Sequence, residues 1–220
     1  MASSLFKTDF SDSQQRILEA YLRICHKKGP DLVTLQMVAK EARVAFGSVR
    51  YYFAGPKNPS LLEAGLVFVL KSAYLDLEDW LLASRSSRAG SDLVLSYLDF
   101  HFDWIQKRPH HASFLLFFYY LNSIHRELPV KHDELRSIAY QRIQSLAAEN
   151  SALGIWPTMQ NLKTLVEELH QIIFGACIGA LISGDISGER QRAHQSIRSL
   201  VSAGLRRKSK PLGREEVSHA

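Results

Sequence analysis

The chain has 220 residues, of which 46% are apolar and 22% are charged. These proportions are typical of a folded globular protein, and they exclude a disordered chain, a collagen-like repeat and a disulfide-rich mini-fold. The net charge of +5 permits an anionic partner, such as nucleic acid or a membrane surface, but does not require one.

The cysteine positions and the hydropathy of the chain indicate its cellular compartment. Cys25 and Cys177 lie far apart and have no metal-ligand spacing, so neither a disulfide scaffold nor a zinc site is predicted. The first fifteen residues lack the basic and apolar regions of a secretory signal, and no uncharged run reaches the roughly 18 residues of a membrane span. We therefore expect a cytoplasmic protein with no membrane partner.

The basic charge is concentrated near the N-terminus. Residues 1–60 contain nine Lys or Arg and five Asp or Glu, so +4 of the net charge of +5 lies there. This asymmetry predicts a basic N-terminal module that binds an anion, joined to an almost neutral body with a different task.

The prolines and the apolar spacing predict an all-α fold. All seven prolines fall between segments whose apolar residues repeat every three to four positions, and no stretch shows sustained two-residue alternation. About nine helices are predicted, at residues 12–28, 34–42, 45–52, 59–84, 91–107, 109–127, 131–149, 159–183 and 188–205.

Residues 33–53 have the spacing of a helix-turn-helix. Thr34 can cap a short helix, small Ala39 lets a second helix cross closely, and Val44 and Val49 fill the turn and the crossing. The second helix then faces solvent, where side chains near its N-terminus can enter a DNA major groove. The exposed face is predicted to carry Phe46, Gly47, Ser48, Arg50 and Tyr51.

Residues 16–53 resemble the DNA-binding domain of TetR-type transcriptional regulators. The likeness covers three helices in order, with the Ile-Leu-Glu-Ala opening, the Val38-Ala39 pair, the run Gly47-Ser48-Val49 and the aromatic close at Phe53. The chain length, the helical remainder and a sixth helix that begins at a proline also fit. The resemblance implies a DNA-binding domain at 1–58 and an effector-binding and dimerisation domain at 59–205; residues 206–220 are expected to be a disordered tail.

The resemblance also implies which residues contact DNA. The set is Thr34, Arg43, Ala45, Phe46, Gly47, Ser48, Arg50, Tyr51 and Lys57. Arg43 replaces a usual turn glycine and Ala45 a capping Ser or Thr, while Lys57 follows an unusually long connection that shifts its register. Thr34 could act only as a cap, Gly47 could relieve crowding between helices, and Phe46 could cover a hydrophobic gap.

The body contains an aromatic cluster between residues 60 and 150. In TetR-like proteins helices four to seven enclose a pocket for a small, often apolar effector. The pocket residues predicted here are Tyr97, Phe100, His101, Trp104, Phe117, Phe118 and Tyr120. Each aromatic side chain could equally be plain core.

The last two helices are the predicted dimer interface, since small residues on the first would let helices approach closely. The predicted interface residues are Ile172, Gly175, Ala176, Gly179, Ala180, Ile197, Leu200 and Val201. The alternative is that the glycines serve only packing within the chain.

No catalytic or metal-binding pattern is found in the sequence. Walker, GxSxG and strand-linked GxGxxG motifs are missing, and His101, His110 and His111 straddle a proline break with no carboxylate or Cys pattern to complete a metal site. We therefore expect no enzyme activity, cofactor or metal. The predicted function is a homodimeric DNA-binding regulator, a repressor released from its operator by a small molecule. The alternatives are a helical ligand carrier or interaction protein and, more distantly, an enzyme that uses the body pocket.

Overall fold

The computed structural model describes residues 8–55, 58–87, 91–124, 132–157 and 161–206. Within these ranges the chain forms nine α-helices, one short 3-10 turn at Pro30–Leu32 and no strand, so the all-α prediction is confirmed. The helices are α1 Asp12–Lys28, α2 Leu35–Ala42, α3 Phe46–Phe53, α4 Leu61–Ser87, α5 Leu93–Lys107, α6 Pro109–Ile124, α7 His132–Ala152, α8 Leu162–Ser183 and α9 Ile186–Arg206.

The first three helices begin and end within one residue of the predicted positions, and the later differences have local causes. Ser60 and Glu63 form reciprocal hydrogen bonds, in which Ser60 N donates to Glu63 Oε2 (2.8 Å) and Glu63 N donates to Ser60 Oγ (3.2 Å). This capping box fixes the start of α4 two residues later than predicted. At α9 the N–H of Gly188 donates to Asp185 Oδ1 (2.9 Å), so the helix begins before the glycine that was interpreted as a break.

Two hydrophobic clusters hold the helices together. One joins α1, α2 and α3 to α4, α6 and the end of α5, and the other joins α5 to α7, α8 and α9. Tyr21 of α1 packs edge-on against Phe114 of α6, with ring centroids 5.6 Å apart. The N-terminal helices therefore share a core with the body, and a domain division at residue 58 remains a prediction.

Gly65 of α4 lies where α1, α4 and α6 meet. A Cβ atom at this position would lie 3.2 Å from Phe114 Cζ and 3.3 Å from Tyr21 Cε1. Both distances are shorter than ordinary van der Waals contact, so the missing side chain lets these three helices approach closely.

By length and composition, α8 is the one helix in the described ranges that meets the requirements of a membrane span, although only 28% of its most apolar window is buried. The sequence analysis did not predict this, because the uncharged run begins only after Glu168. Core helices of soluble proteins have the same composition, so this is weak evidence for a span.

Candidate functional site

The turn between α2 and α3 has the geometry that a helix-turn-helix requires. Thr34 caps α2, since Met37 N donates to Thr34 Oγ1 (3.2 Å), and α2 ends at Arg43 with φ 55° and ψ 47°. In the described part of the chain Arg43 is the one non-glycine residue with positive φ. A left-handed conformation costs a residue with a Cβ atom about 1–2 kcal/mol, so this turn carries strain.

Arg16 of α1 supports the strained turn. Its guanidinium donates to the carbonyl oxygen of Ala42 (3.2 Å) and, more weakly, to that of Arg43 (3.5 Å). Carbonyl groups at the C-terminus of a helix carry partial negative charge and lack helical partners, so a cation there is stabilising. This role could not be predicted from the sequence, because nothing local connects residues separated by 26 positions.

Replacing Arg16 with alanine is expected to lower the free energy of unfolding by about 1 kcal/mol, because the α2 carbonyls lose a charged donor while remaining partly solvated. For a chain of this size the melting temperature should fall by about 2–4 °C. Thermal unfolding followed by circular dichroism measures the change. Arg192→Ala, which removes an exposed arginine that pairs with side-chain carboxylates rather than with helix carbonyl groups, is the control. Equal stability of Arg16→Ala and the parent would contradict the role.

Replacing Arg43 with glycine should have the opposite effect. Glycine relieves about 1–2 kcal/mol of left-handed strain, while its freedom in the unfolded chain costs about 0.4–1 kcal/mol. We therefore expect a net stabilisation of about 0.5–1 kcal/mol in urea unfolding. A destabilised Arg43→Gly protein would mean that the Arg43 side chain makes a stabilising contact that outweighs the backbone strain.

Helix α3 is anchored on one side and open on the other. Val49 is fully buried and Phe53 nearly so, whereas Tyr51 is 75% exposed and Phe46 41% exposed. Ala45, the N-cap residue, makes no side-chain cap, so the first-turn N–H groups of α3 lack a side-chain acceptor. The open face therefore offers backbone donors and side chains to an external partner.

The predicted DNA-binding residues in the described ranges all lie at the surface. The exposed ones are Thr34, Arg43, Ala45, Phe46, Gly47, Arg50 and Tyr51, and Ser48 is half-buried. A Cβ atom at Gly47 would meet nothing within 4 Å, so this glycine does not relieve crowding in the chain. Phe46 belongs to neither hydrophobic cluster, which disfavours its role as a cover for core residues. Lys57 lies outside the described residues.

A cavity of about 240 Å³ lies in the body, walled by residues of α4 to α8. Four predicted residues line it: Tyr97, Phe100, His101 and Trp104. The helix α6 contributes different residues from those predicted, among them Leu115, Leu116 and Tyr119.

The predicted pocket set is corrected at three positions of α6. Phe118 is fully buried in the cluster shared with the N-terminal helices, Tyr120 is 59% exposed, and Phe117 lies beside Phe114 and Tyr120. The physical reason is the run FLLFFYYL, which is apolar on all sides of the helix and so does not indicate which side faces inward.

Several polar groups of the cavity wall are uncharged or are paired with an opposite charge. His101 Nδ1 donates to the carbonyl oxygen of Tyr97 (2.7 Å), and burial lowers the pKa of His101, so the neutral ring keeps Nε2 as an acceptor. Burial raises the pKa values of Tyr119 and Cys177, both to about 12. Arg142 forms an ion pair with Glu78, which offsets its charge. The cavity therefore suits an uncharged, largely apolar molecule.

The contacts between α1 and α6 include a carboxylate between two imidazoles. Glu19 Oε2 lies 3.0 Å from His110 Nε2, and Glu19 Oε1 lies 3.0 Å from His111 Nε2. Burial raises the pKa of Glu19, but the hydrogen bonds from both histidines outweigh it and lower this pKa to about 2. Glu19 is therefore a carboxylate at neutral pH.

The predicted interface residues separate into two groups. Ala180, Ile197 and Val201 are buried in the chain's own core, and a Cβ atom at Gly179 would lie 2.9 Å from the carboxyl carbon of Glu189. These four positions pack α8 against α9 within the chain, so their assignment to the dimer interface is corrected. For Gly179, packing within the chain is the alternative stated for the glycines. The other predicted positions remain at least partly accessible: Ile172, Gly175, Ala176 and Leu200.

The accessible positions of α8 between Ile172 and Ile182 form an apolar surface. Gly175 is exposed and has open space around it, and Ile182 is 73% exposed. Ile172, Gly175 and Ile182 lie on one side of α8 at helical spacing. We call this side the outer α8 face.

The fold resembles that of several solved regulators. A TetR transcription regulator from Haloarcula marismortui has a TM-score of 0.68 and 21% identity, over 88% of this chain and 98% of that one. The fatty acid degradation regulator FadR from Bacillus halodurans has a TM-score of 0.70 and 13% identity, over 86% and 96%. SmeT in complex with triclosan has a TM-score of 0.60 and 14% identity, over 88% and 91%.

Sequence comparison adds no further relative, since no protein-family model and no curated protein matches the chain. The structural likeness confirms at the level of the fold the resemblance inferred from residues 16–53. The chain has the fold of TetR-type transcription regulators.

Proposed function

We propose that this protein is a TetR-type transcriptional regulator that binds operator DNA as a homodimer and is released by a small molecule. The observation that carries the proposal is α3, anchored by Val49 and Phe53 and exposed at Phe46, Arg50 and Tyr51. A short helix held in this way enters a major groove about 12 Å wide with its N-terminal residues foremost.

Each predicted DNA-binding residue has a role in this proposal. Arg50 and Tyr51 reach base edges and phosphates, and Phe46 contacts a thymine methyl group. Thr34, Arg43, Ala45, Gly47 and Ser48 lie at the starts of α2 and α3 and in their turn, where backbone N–H groups bind phosphate oxygens. Lys57 is proposed as a further phosphate contact on the basis of the resemblance alone.

The homodimer follows from the small surface of one helix-turn-helix. A single such unit buries too little area for tight specific binding, so two copies on half-sites about 34 Å apart are the usual solution. The outer α8 face supports this assembly, because Ile172 and Ile182 would be covered by a second copy of the same helix. Leu200 of α9 extends the apolar surface.

The small molecule occupies the cavity lined by Tyr97, Phe100, His101 and Trp104. The neutral wall favours an uncharged apolar compound, and the Nε2 acceptor of His101 favours one that carries a hydrogen-bond donor. SmeT, which shares this fold, was solved with triclosan. Since α4 both lines the cavity and packs against α1, ligand binding is coupled to the spacing of the two DNA-binding heads.

Selection of bound fragments from random duplex DNA tests the proposal. We expect recovery of an inverted repeat and a log–log salt dependence with a slope of about −0.9 per neutralised phosphate. With a helical ligand carrier no DNA sequence would be enriched in the selection, and this result would refute the proposed regulator function. A compound that binds the cavity is then titrated into the protein–operator complex and should weaken operator binding. Unchanged operator affinity would contradict the coupling between the cavity and the DNA-binding heads.

A further inference from the structure

Three metal-binding side chains meet where α1 packs against α6. Glu19 belongs to α1, while His110 and His111 belong to the first turn of α6, 91 and 92 positions along the chain. One ligand atom from each residue lies within 4.8 Å of the others. The carboxylate could not be predicted from the sequence because it lies on a distant helix. His101, the third histidine considered with these two, instead lines the cavity.

The distances fit a small divalent cation. Zinc bonds to imidazole nitrogen and carboxylate oxygen are about 2.0–2.2 Å long, so adjacent ligand atoms of a tetrahedral site lie about 3.3 Å apart. Glu19 Oε2 lies 3.0 Å from His110 Nε2, and Glu19 Oε1 lies 3.0 Å from His111 Nε2. Each distance is within a few tenths of an ångström of that spacing. The two imidazole rings are nearly perpendicular, at 87° with centroids 4.6 Å apart, so they approach the carboxylate from different directions.

We propose that Glu19, His110 and His111 bind a divalent transition-metal ion of the Zn²⁺ class, with water as the fourth ligand. The His111 side chain is fully buried, whereas those of His110 and Glu19 are 23% and 27% exposed. The site therefore has a closed inner side and a side open to water, as zinc sites with three protein ligands have.

The charges around the site leave Glu19 available to a cation. Arg23 is paired with Glu41 (3.1 Å) and Arg108 with Asp76 (2.8 Å). Each of these arginines therefore has its own carboxylate, and the two groups nearest to the Glu19 oxygens are imidazoles.

Metal binding requires only a change of tautomer at the two histidines. In the tautomer that donates a hydrogen bond to Glu19, each ring carries its proton on Nε2, and for Nε2 to bind an ion that proton moves to Nδ1. Among the described residues His111 Nδ1 has no hydrogen-bond partner, so an orienting acceptor is missing. Since such support is worth about 10–100-fold in affinity, we expect binding weaker than that of structural zinc sites.

Calorimetric titration of Zn²⁺ into the chelator-treated, tag-free full-length protein tests the site. We expect one ion per chain and, with Co²⁺, the visible absorption of a four-coordinate complex. Glu19→Gln and His110→Gln are each expected to weaken Zn²⁺ binding at least about tenfold. His194→Gln is the matched control. His194 also pairs with a carboxylate, Asp99 (2.7 Å), but these two side chains alone do not make a three-ligand site. The His194→Gln protein should therefore bind Zn²⁺ as the parent does.

Two results would overturn the metal site: no saturable binding to the parent, or unchanged affinity in both variants. If Glu19→Gln loses helical content, His110→Gln decides alone. The site goes beyond the proposed regulator function, and its test is independent of that function because the affinity is measured without DNA.

Discussion

Replacing Arg50 with alanine is expected to weaken operator binding by at least about tenfold while the helical content and the mass of the assembly stay unchanged. Arg50 is exposed on α3, one residue after the fully buried Val49. An arginine at such a position discriminates bases or binds phosphate at about 1–3 kcal/mol per contact, and a dimer contains two copies. Fluorescence anisotropy with the selected operator at fixed salt measures the loss.

The control for Arg50 is another exposed arginine outside the helix-turn-helix. Arg136 of α7 is 48% exposed and pairs with Asp133, so Arg136→Ala removes the same charge from the body. If Arg136→Ala weakens operator binding as much as Arg50→Ala does, the loss of affinity reflects the net charge rather than a contact made by α3. Unchanged affinity in Arg50→Ala would remove this residue from the interface.

Replacing Gly175 with arginine is expected to convert the proposed dimer to monomers. Within its own chain a side chain at Gly175 meets no atom within 4 Å, and arginine is a better helix former than glycine by about 1 kcal/mol. The subunit should therefore fold at least as well as the parent. In the dimer, by contrast, the guanidinium would be buried against apolar residues of the second copy without a partner, which costs several kcal/mol.

Sedimentation equilibrium measures this effect, with a dimer dissociation constant expected to rise more than about a hundredfold. Gln141→Arg adds the same charge to an exposed position of α7 and should leave the dimer intact. A Gly175→Arg protein that remains dimeric would place the interface elsewhere. Loss of operator binding in the monomer would then connect the assembly to recognition of two half-sites.

The helix-turn-helix could be predicted from the sequence because its determinants are local. The cap at Thr34, the small residue Ala39 and the buried Val49 all act within one short segment, and the structure places each as predicted. Even the departures were readable: Arg43 adopts the left-handed conformation of the glycine it replaces, and Ala45 provides no cap.

The residues of α6 that line the cavity and the residues of the outer α8 face were only partly predictable, because both helices carry apolar residues on several sides. Periodicity identifies an inner side only when the other side is polar, and neither the run that contains Phe118 nor the one that contains Ala180 meets that condition. Contacts between residues far apart in the chain could not be predicted from any sequence pattern. The contact of Gly179 with Glu189 and the meeting of Glu19 with His110 depend on how whole helices pack.

The close approach at Gly65 restricts how α4 can move. Because Phe114 and Tyr21 pack against a backbone without a side chain, we expect a lengthwise shift of α4 to displace both rings, and a rotation about this point to disturb them less. Tyr74, which lines the cavity, lies about 13 Å further along the helix at about 1.5 Å per residue. We therefore expect Gly65 to act as a pivot, so that a ligand that displaces α4 at Tyr74 moves the opposite end of α4, next to the helix-turn-helix, in the reverse direction.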